Sequence, residues 1–119
     1  MTSSSPAGTS AVSPGVKARD LLFSKLTDVQ ERYVRNLRYI PVTGSMGGHY
    51  HIDVKGTVQN ICSADGRIVY CAGPLTPMPD ADVWLCQKLL IEADEEEFLR
   101  VADPIRYMRQ SEIRYDRYI

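Results

Sequence analysis

Apolar positions at helical spacing predict two helices near the start of the chain. A helical pattern begins at Val16, and Thr27 and Gln30 then have the spacing of a capping box, in which each side chain bonds the other residue's backbone amide. This box predicts a second helix from Asp28 to Arg38. Its apolar residues form one stripe that is expected to face the core, and they are Val29, Tyr33, Val34 and Leu37.

Alternating polar and apolar positions predict a small antiparallel sheet in the middle of the chain. Residues 49–55 place Tyr50, Ile52 and Val54 on one face and His49, His51, Asp53 and Lys55 on the other, which is the period of a half-buried strand. Two more strands are predicted at residues 57–62 and 67–71, joined by a turn at Asp65-Gly66. With this turn, Cys62 lies opposite Val69.

The most helical segment of the chain follows the sheet and begins after Pro79. Asp80 is its predicted N-cap, because a short carboxylate side chain can accept a bond from a free amide of the first turn. The residues expected to cover the sheet are Trp84, Leu85 and Leu89, and Cys86 belongs to the same apolar stripe. The acidic residues 94–97 interrupt the stripe and have the spacing of a second capping box, so a bend is expected there. Their carboxylates are expected on a solvated face.

The order of these elements predicts an α+β fold. N-terminal helices precede an antiparallel meander of about three strands, and one long C-terminal helix packs across it. Residues 1–15 are rich in Ser, Thr, Ala, Gly and Pro and are expected to form a flexible N-terminal arm. Residues 16–103 form the predicted domain, and residues 104–119 form a basic, tyrosine-rich C-terminal tail.

The distribution of charge is uneven although the formal net charge is −1. Residues 1–40 carry six Lys/Arg and three Asp/Glu, residues 41–103 carry four and ten, and residues 104–119 carry four and two. An acidic middle between two basic ends suits contacts between copies or with an oppositely charged neighbour. The absence of an apolar run of 18 residues and of a signal-peptide pattern predicts no membrane association, and three sparse cysteines favour folding in a reducing cytosol.

Two histidines at alternate positions raise the hypothesis of a metal site. His49 and His51 point to the same side of the predicted strand, which is a known spacing of metal ligands. Their face also carries Asp53 and Lys55, which favours an ordinary solvated strand face. The cysteines form no C-x-x-C pair, and the segment GSMGG lacks the sequence context of a nucleophile elbow or a phosphate loop, so it is interpreted as a turn. A metal-binding module or metal-dependent enzyme that uses His49 and His51 therefore stays an alternative.

The C-terminal tail interleaves arginine and tyrosine, the residue types enriched at binding hot spots. The residues predicted to contact a partner are Arg106, Tyr107, Arg109, Arg114, Tyr115, Arg117 and Tyr118. The same mixture could stack on single-stranded nucleic acid, so a nucleic-acid-binding regulator is a second alternative. The net positive charge of the tail is small for a protein segment that binds nucleic acid. Nucleic acid is therefore not the expected partner.

The chain also carries a pattern that extends beyond single motifs. GSMGGHYHI is followed by Asn60-Ile61, Tyr70-Cys71-Ala72, Pro74 and finally PDADVWLCQKLLIEADEEEFLRVA. In this pattern the segment from Leu26 to Ala102 resembles small proteins that recur in actinobacterial phages and in some bacteria. The resemblance implies a virion accessory role, as a minor capsid or decoration protein made in the host cytoplasm. The expected partners are the major capsid protein or other copies of the chain, with no enzymatic activity, no cofactor and no small-molecule substrate.

Overall fold

The computed structural model describes residues 13–73 and 76–106, and in this part the chain forms an α+β fold. Four helices and five strands follow one another along these residues. They are α1 (Pro14–Ser24), α2 (Asp28–Leu37), β1 (Tyr39–Thr43), β2 (His49–Asp53), β3 (Ile61–Ser63), β4 (Ile68–Cys71), α3 (Asp80–Ala93), α4 (Glu95–Val101) and β5 (Asp103–Arg106). The predicted fold class is confirmed. Residues 1–12 of the predicted N-terminal arm lie outside the described residues.

Helix α2 forms as the capping box predicts. The Thr27 hydroxyl accepts a hydrogen bond from the Gln30 amide at 3.1 Å, and the Gln30 side chain accepts one from the Thr27 amide at 3.0 Å. The helix ends at Leu37, because Arg38 adopts the left-handed conformation with φ 66°. The prediction for its apolar stripe is wrong: of the four residues, Val34 alone is buried, and the other three are exposed.

The sheet is an antiparallel meander in the order β1-β2-β3-β4-β5. Cys62 lies opposite Val69, as the Asp65-Gly66 turn predicts. The two strands that the sequence did not indicate lie at the edges of the sheet. The central Pro41 of β1 disfavours a strand in the sequence pattern, and β5 includes Pro104–Arg106, which belong to the predicted tail.

Helix α3 packs against both the sheet and α1, so more than one of its sides is buried. Its buried positions include Leu85, Gln87, Lys88 and Ile91, whereas Leu89 is 47 % exposed. The expectation that Leu89 covers the sheet is therefore wrong, and Cys86 is exposed as well. A helix that is apolar on several sides gives no single stripe, so periodicity did not identify its outer side. Asp80 also differs from expectation, since Pro79 occupies the N-cap position and makes no side-chain bond there.

The acidic run breaks the long helix into α3 and α4. The Asp94 carboxylate accepts a hydrogen bond from the Glu97 amide at 3.1 Å and caps the new helix. Phe98 of α4 is fully buried, and its ring packs against Tyr50 and Tyr70 with centroid distances of 5.4 and 5.1 Å. The interruption predicted at the acidic residues is confirmed.

None of the helices in the described part of the chain has the length and apolar character needed to cross a membrane.

Two leucine-sized residues of α3 provide a direct test of this packing. Ile91 is fully buried, and Ile91→Ala is expected to lower the free energy of unfolding by about 2–5 kcal/mol because it leaves a cavity in the core. Leu89→Ala on the outer side of the same helix is expected to change it by less than about 1 kcal/mol. Urea unfolding of both variants measures the difference, and similar losses would contradict the assigned orientation of α3.

Candidate functional site

The glycine-rich segment 44–48 forms the turn between β1 and β2 and binds a carboxylate of the same chain. The amides of Met46 and Gly48 donate hydrogen bonds to Oε1 of Glu95 at 2.8 and 3.3 Å. The hydroxyl of Tyr50 donates a short hydrogen bond to Oε2 of the same carboxylate. Three donors from one turn and its following strand therefore hold the side chain that begins α4.

The backbone of this turn is fixed by the ends of α3 and α4. The Ser45 amide donates to the Ile91 carbonyl at 3.1 Å, and the Ser45 hydroxyl accepts from the Glu95 amide at 2.8 Å. Gly47 has φ 93°, a backbone conformation that residues with a side chain disfavour. This conformation agrees with the interpretation of the segment as a turn. Ser45 thus has a structural role that accounts for its position.

Two further glycines are needed because the carboxylate lies directly on the backbone. A Cβ atom at Gly44 or at Gly48 would clash with the carboxyl group of Glu95. Glycine at these two positions therefore creates the space that the side chain occupies, while Gly47 provides the turn conformation. The spacing of the motif reflects this internal contact.

The environment of Glu95 keeps it ionised inside the protein. Glu95 is 3 % exposed, and burial by itself would raise its pKa. The hydrogen bonds from the Tyr50 hydroxyl and from the amides of Met46 and Gly48 have the opposite effect and outweigh burial. The pKa of Glu95 is therefore lower than its usual value. Burial and then the carboxylate raise the pKa of Tyr50, which stays a donor. The prediction of a solvated acidic run is wrong for Glu95. A carboxylate enclosed in this way is a structural anchor without access to a substrate.

The two histidines share a face of the sheet, as predicted, but have different surroundings. His49 is exposed, and its Nδ1 lies 3.3 Å from the Thr43 hydroxyl. The half-buried ring of His51 stacks on Tyr39 with centroids 4.1 Å apart, and burial lowers the pKa of His51. Among residues 13–73 and 76–106, no three His, Cys, Asp or Glu side chains come together as metal ligands would. The geometry of His49 and His51 thus does not favour a metal site over an ordinary strand face.

The cysteines do not form a common site in the structure. Cys62 and Cys71 are half-buried free thiols in neighbouring strands, and Cys86 is an exposed free thiol on α3. Burial, followed by the charges of Asp53 and Asp65, raises the pKa of Cys62. A raised pKa keeps this thiol protonated and reduces its reactivity as a nucleophile.

An exposed apolar surface runs from α2 onto the sheet. Val29, Tyr33 and Leu37 of α2 are 53, 38 and 58 % exposed, respectively. The ring of Tyr33 meets that of Tyr39 edge to face with centroids 5.5 Å apart, and Tyr39 in turn stacks on His51. These five residues, Val29, Tyr33, Leu37, Tyr39 and His51, are named here the α2–sheet face. The sequence indicated four of these five residues, with the α2 residues in an apolar stripe and His51 on a solvated strand face, and it did not indicate Tyr39.

The α2–sheet face borders a groove of ≈ 580 Å³. Val29 and His51 line both the groove and the face, and Pro41, Thr43 and His49 extend its wall along the sheet. Most of the residues that line the groove carry polar groups, and the apolar ones are Val29, Pro41, Val42 and Ala64. The exposed apolar face therefore has a groove beside it.

Of the seven residues that the sequence predicts for partner binding, the structure describes one. Arg106 ends β5, where its backbone lies opposite Ile68 of β4. The other six tail residues lie outside the described part of the chain. Comparison with protein-family models, with curated proteins and with solved structures gives no match. The resemblance to phage proteins therefore stays a prediction.

The contact between the glycine turn and Glu95 predicts a specific non-additivity. Gly44→Ala would push the carboxylate from its donors and is expected to lower the free energy of unfolding by about 1–3 kcal/mol. In a Glu95→Ala background the same substitution is expected to cost much less, because the nearest atoms to the new Cβ are gone. Gly56→Ala is the control, since no atom lies within 4 Å of its Cβ. Equal costs of Gly44→Ala in both backgrounds, measured by urea unfolding, would contradict this account.

The ionised Glu95 also predicts a dependence of stability on pH. Because its pKa is lower in the folded chain than the ordinary value of 4.5, its contribution is present above that value and is lost as the pH falls through the folded-state pKa. Glu95→Gln is expected to be less stable than the natural chain near neutral pH but to lose less stability on acidification. Glu96→Gln, which removes a carboxylate at an exposed neighbouring position, is the matched control. Parallel curves for the natural chain and Glu95→Gln, from urea unfolding at several pH values, would refute the role of the charge.

Proposed function

We propose that this chain is a non-enzymatic binding protein that attaches to a protein partner through the α2–sheet face. The observation that carries the proposal is the exposure of Val29, Tyr33 and Leu37 on a helix whose sequence pattern is that of a core helix. Large contiguous apolar surfaces are uncommon on monomers and often mark interaction sites. A partner that covers this face would remove these side chains from water.

The chemistry of the face suits a protein surface. Tyrosine is enriched at hot spots, and two tyrosines here are pre-ordered by ring contacts before any partner arrives. The lowered pKa of His51 favours its neutral form at pH 7, so the stack can be covered without burying a charge. Less ordering of side chains on binding means a smaller entropic cost.

The setting that we propose for this binding is a virion. The resemblance described above implies a minor capsid or decoration protein, made in the host cytoplasm and attached to the major capsid protein or to other copies. A small domain with an apolar face and a basic, tyrosine-rich tail has the properties such a component needs. The tail residues Arg109, Arg114 and Arg117 would then supply a second contact.

Attachment to particles is the test of this proposal. The chain, carrying an affinity tag, is produced in the host during phage growth, and the copies per purified particle are counted by quantitative mass spectrometry. Tyr33→Ser combined with Leu37→Ser is expected to reduce the count at least about tenfold, because hot-spot side chains dominate binding energy. Val58→Ser is the matched control, since Val58 is 65 % exposed but lies in the β2–β3 connection.

The outcomes separate the two parts of the proposal. An unchanged count for the double variant would show that the α2–sheet face is not the contact. A natural chain that does not sediment with particles would reject the virion role. Removal of residues 107–119, which leaves β5 complete, measures the contribution of the tail by itself.

A further inference from the structure

A second groove lies on the other side of α2, between its C-terminal half and α1. It has a volume of ≈ 600 Å³. Arg19 of α1 and Arg35 and Arg38 at the end of α2 line it, and Asp20 is the one carboxylate among the described residues that do so. The groove therefore carries a net positive charge in a chain whose net charge is −1.

Two of the three guanidinium groups are available to a ligand. Arg35 forms an ion pair with Glu31 at 3.0 Å, and its guanidinium lies 4.9 Å from the centre of the Phe23 ring. Arg19 and Arg38 are exposed and form no ion pair within residues 13–73 and 76–106. Exposed guanidinium groups bind carboxylates well, because they donate two parallel hydrogen bonds.

The floor of the groove is apolar, and its polar groups are already bonded. Phe23 and Trp84 supply aromatic surface, and the Trp84 Nε1 donates to the Gly56 carbonyl at 2.7 Å. The Val54 amide at the same floor donates to the Arg38 carbonyl at 3.1 Å. A ligand that rests here is therefore recognised by an apolar group at its centre and by charge at its rim.

We propose that this groove binds an acidic peptide segment of a partner protein. An apolar side chain of the peptide packs on Phe23 and Trp84, and flanking carboxylates pair with Arg19 and Arg38. Nucleic acid fits less well, because a base would leave its polar edge unpaired on this apolar floor. The groove does not overlap the α2–sheet face, so this inference stands or fails separately from the function proposed above.

The chain contains its own reporter for the groove. Trp84 is the single tryptophan of the sequence, so a change in tryptophan emission reports on this place. The probe is the synthetic peptide acetyl-Asp-Glu-Phe-Leu-Glu-Asp-amide, titrated against the full chain. We expect a saturable change in emission that weakens at high salt, because exposed ion pairs are screened.

Variants of the groove must change this titration in opposite directions. Arg19→Gln with Arg38→Gln should weaken binding at least tenfold, whereas Asp20→Asn should tighten it severalfold by removing a like charge. Arg67→Gln, an exposed arginine of the β3–β4 turn, should leave it unchanged. A gain in affinity cannot come from misfolding, so Asp20→Asn keeps the test decisive even where the double variant is unstable.

Several results would overturn the proposal. They are no saturable change in emission, equal effects of Arg67→Gln and the double arginine variant, or no gain with Asp20→Asn. Equal binding of a peptide with Ser-Ser in place of Phe-Leu would remove the role of the aromatic floor. Tighter binding of a single-stranded oligonucleotide would assign the groove to nucleic acid. A concentration-dependent dimer in analytical ultracentrifugation that the double arginine variant abolishes would assign it to a second copy.

Discussion

The enclosed carboxylate of Glu95 is the contact on which the arrangement of the sheet and the C-terminal helices depends. It connects the β1–β2 turn, strand β2 through Tyr50, and the first residue of α4. An ionised group that is 3 % exposed costs several kcal/mol unless donors replace water, and here three donors do so. Tyr50 also packs against Phe98, so one residue links the polar contact to the aromatic core.

A second polar contact fixes α2 beside the edge of the sheet. The buried side-chain amide of Gln30 donates to the Pro41 carbonyl at 2.9 Å and to Glu92 at 3.2 Å, and Glu92 accepts from the buried Lys88 at 2.7 Å. Pro41 has no amide hydrogen and its carbonyl is bonded, so β1 presents a poor edge for pairing with another strand. Of the apolar residues of α2, only Val34 is buried, so these polar contacts are a large part of what holds the helix in place.

Local signals in the sequence predicted local structure well. The Thr27–Gln30 capping box, the turn that places Cys62 opposite Val69, and the helix break at Asp94 depend on neighbouring residues, and all three are present. Contacts between distant residues were not predictable in this way. Met46 and Glu95 are far apart in the chain, and neither a glycine-rich segment nor an acidic run indicates by itself that the two will meet.

The periodicity of the sequence also could not predict which side of each helix is buried. A period of 3.6 residues identifies which side chains share a side of a helix, but the helix's neighbours decide which side is covered. On α2, the buried side carries Gln30 with Val34, so a polar residue outside the predicted apolar stripe is buried. A buried glutamine is recognisable only once its partners, Pro41 and Glu92, are known. The α2 part of the candidate site is not predictable for the same reason, because the pattern by itself assigns Val29, Tyr33 and Leu37 to the core.

The position of α2 connects the two proposed binding surfaces. Its ten residues span about 15 Å, with the stripe of Val29, Tyr33 and Leu37 on one side and Arg35 toward the other, and Arg38 directly follows its last residue. Both surfaces therefore share this helix, which Gln30 anchors at its first turn, and each is completed by residues of other elements. Two segments of one partner, or two partners, would be held in a fixed relative orientation by this helix. A short helix that is fastened by polar contacts thus provides two chemically different surfaces in a small domain, which a helix buried by its apolar stripe could not do.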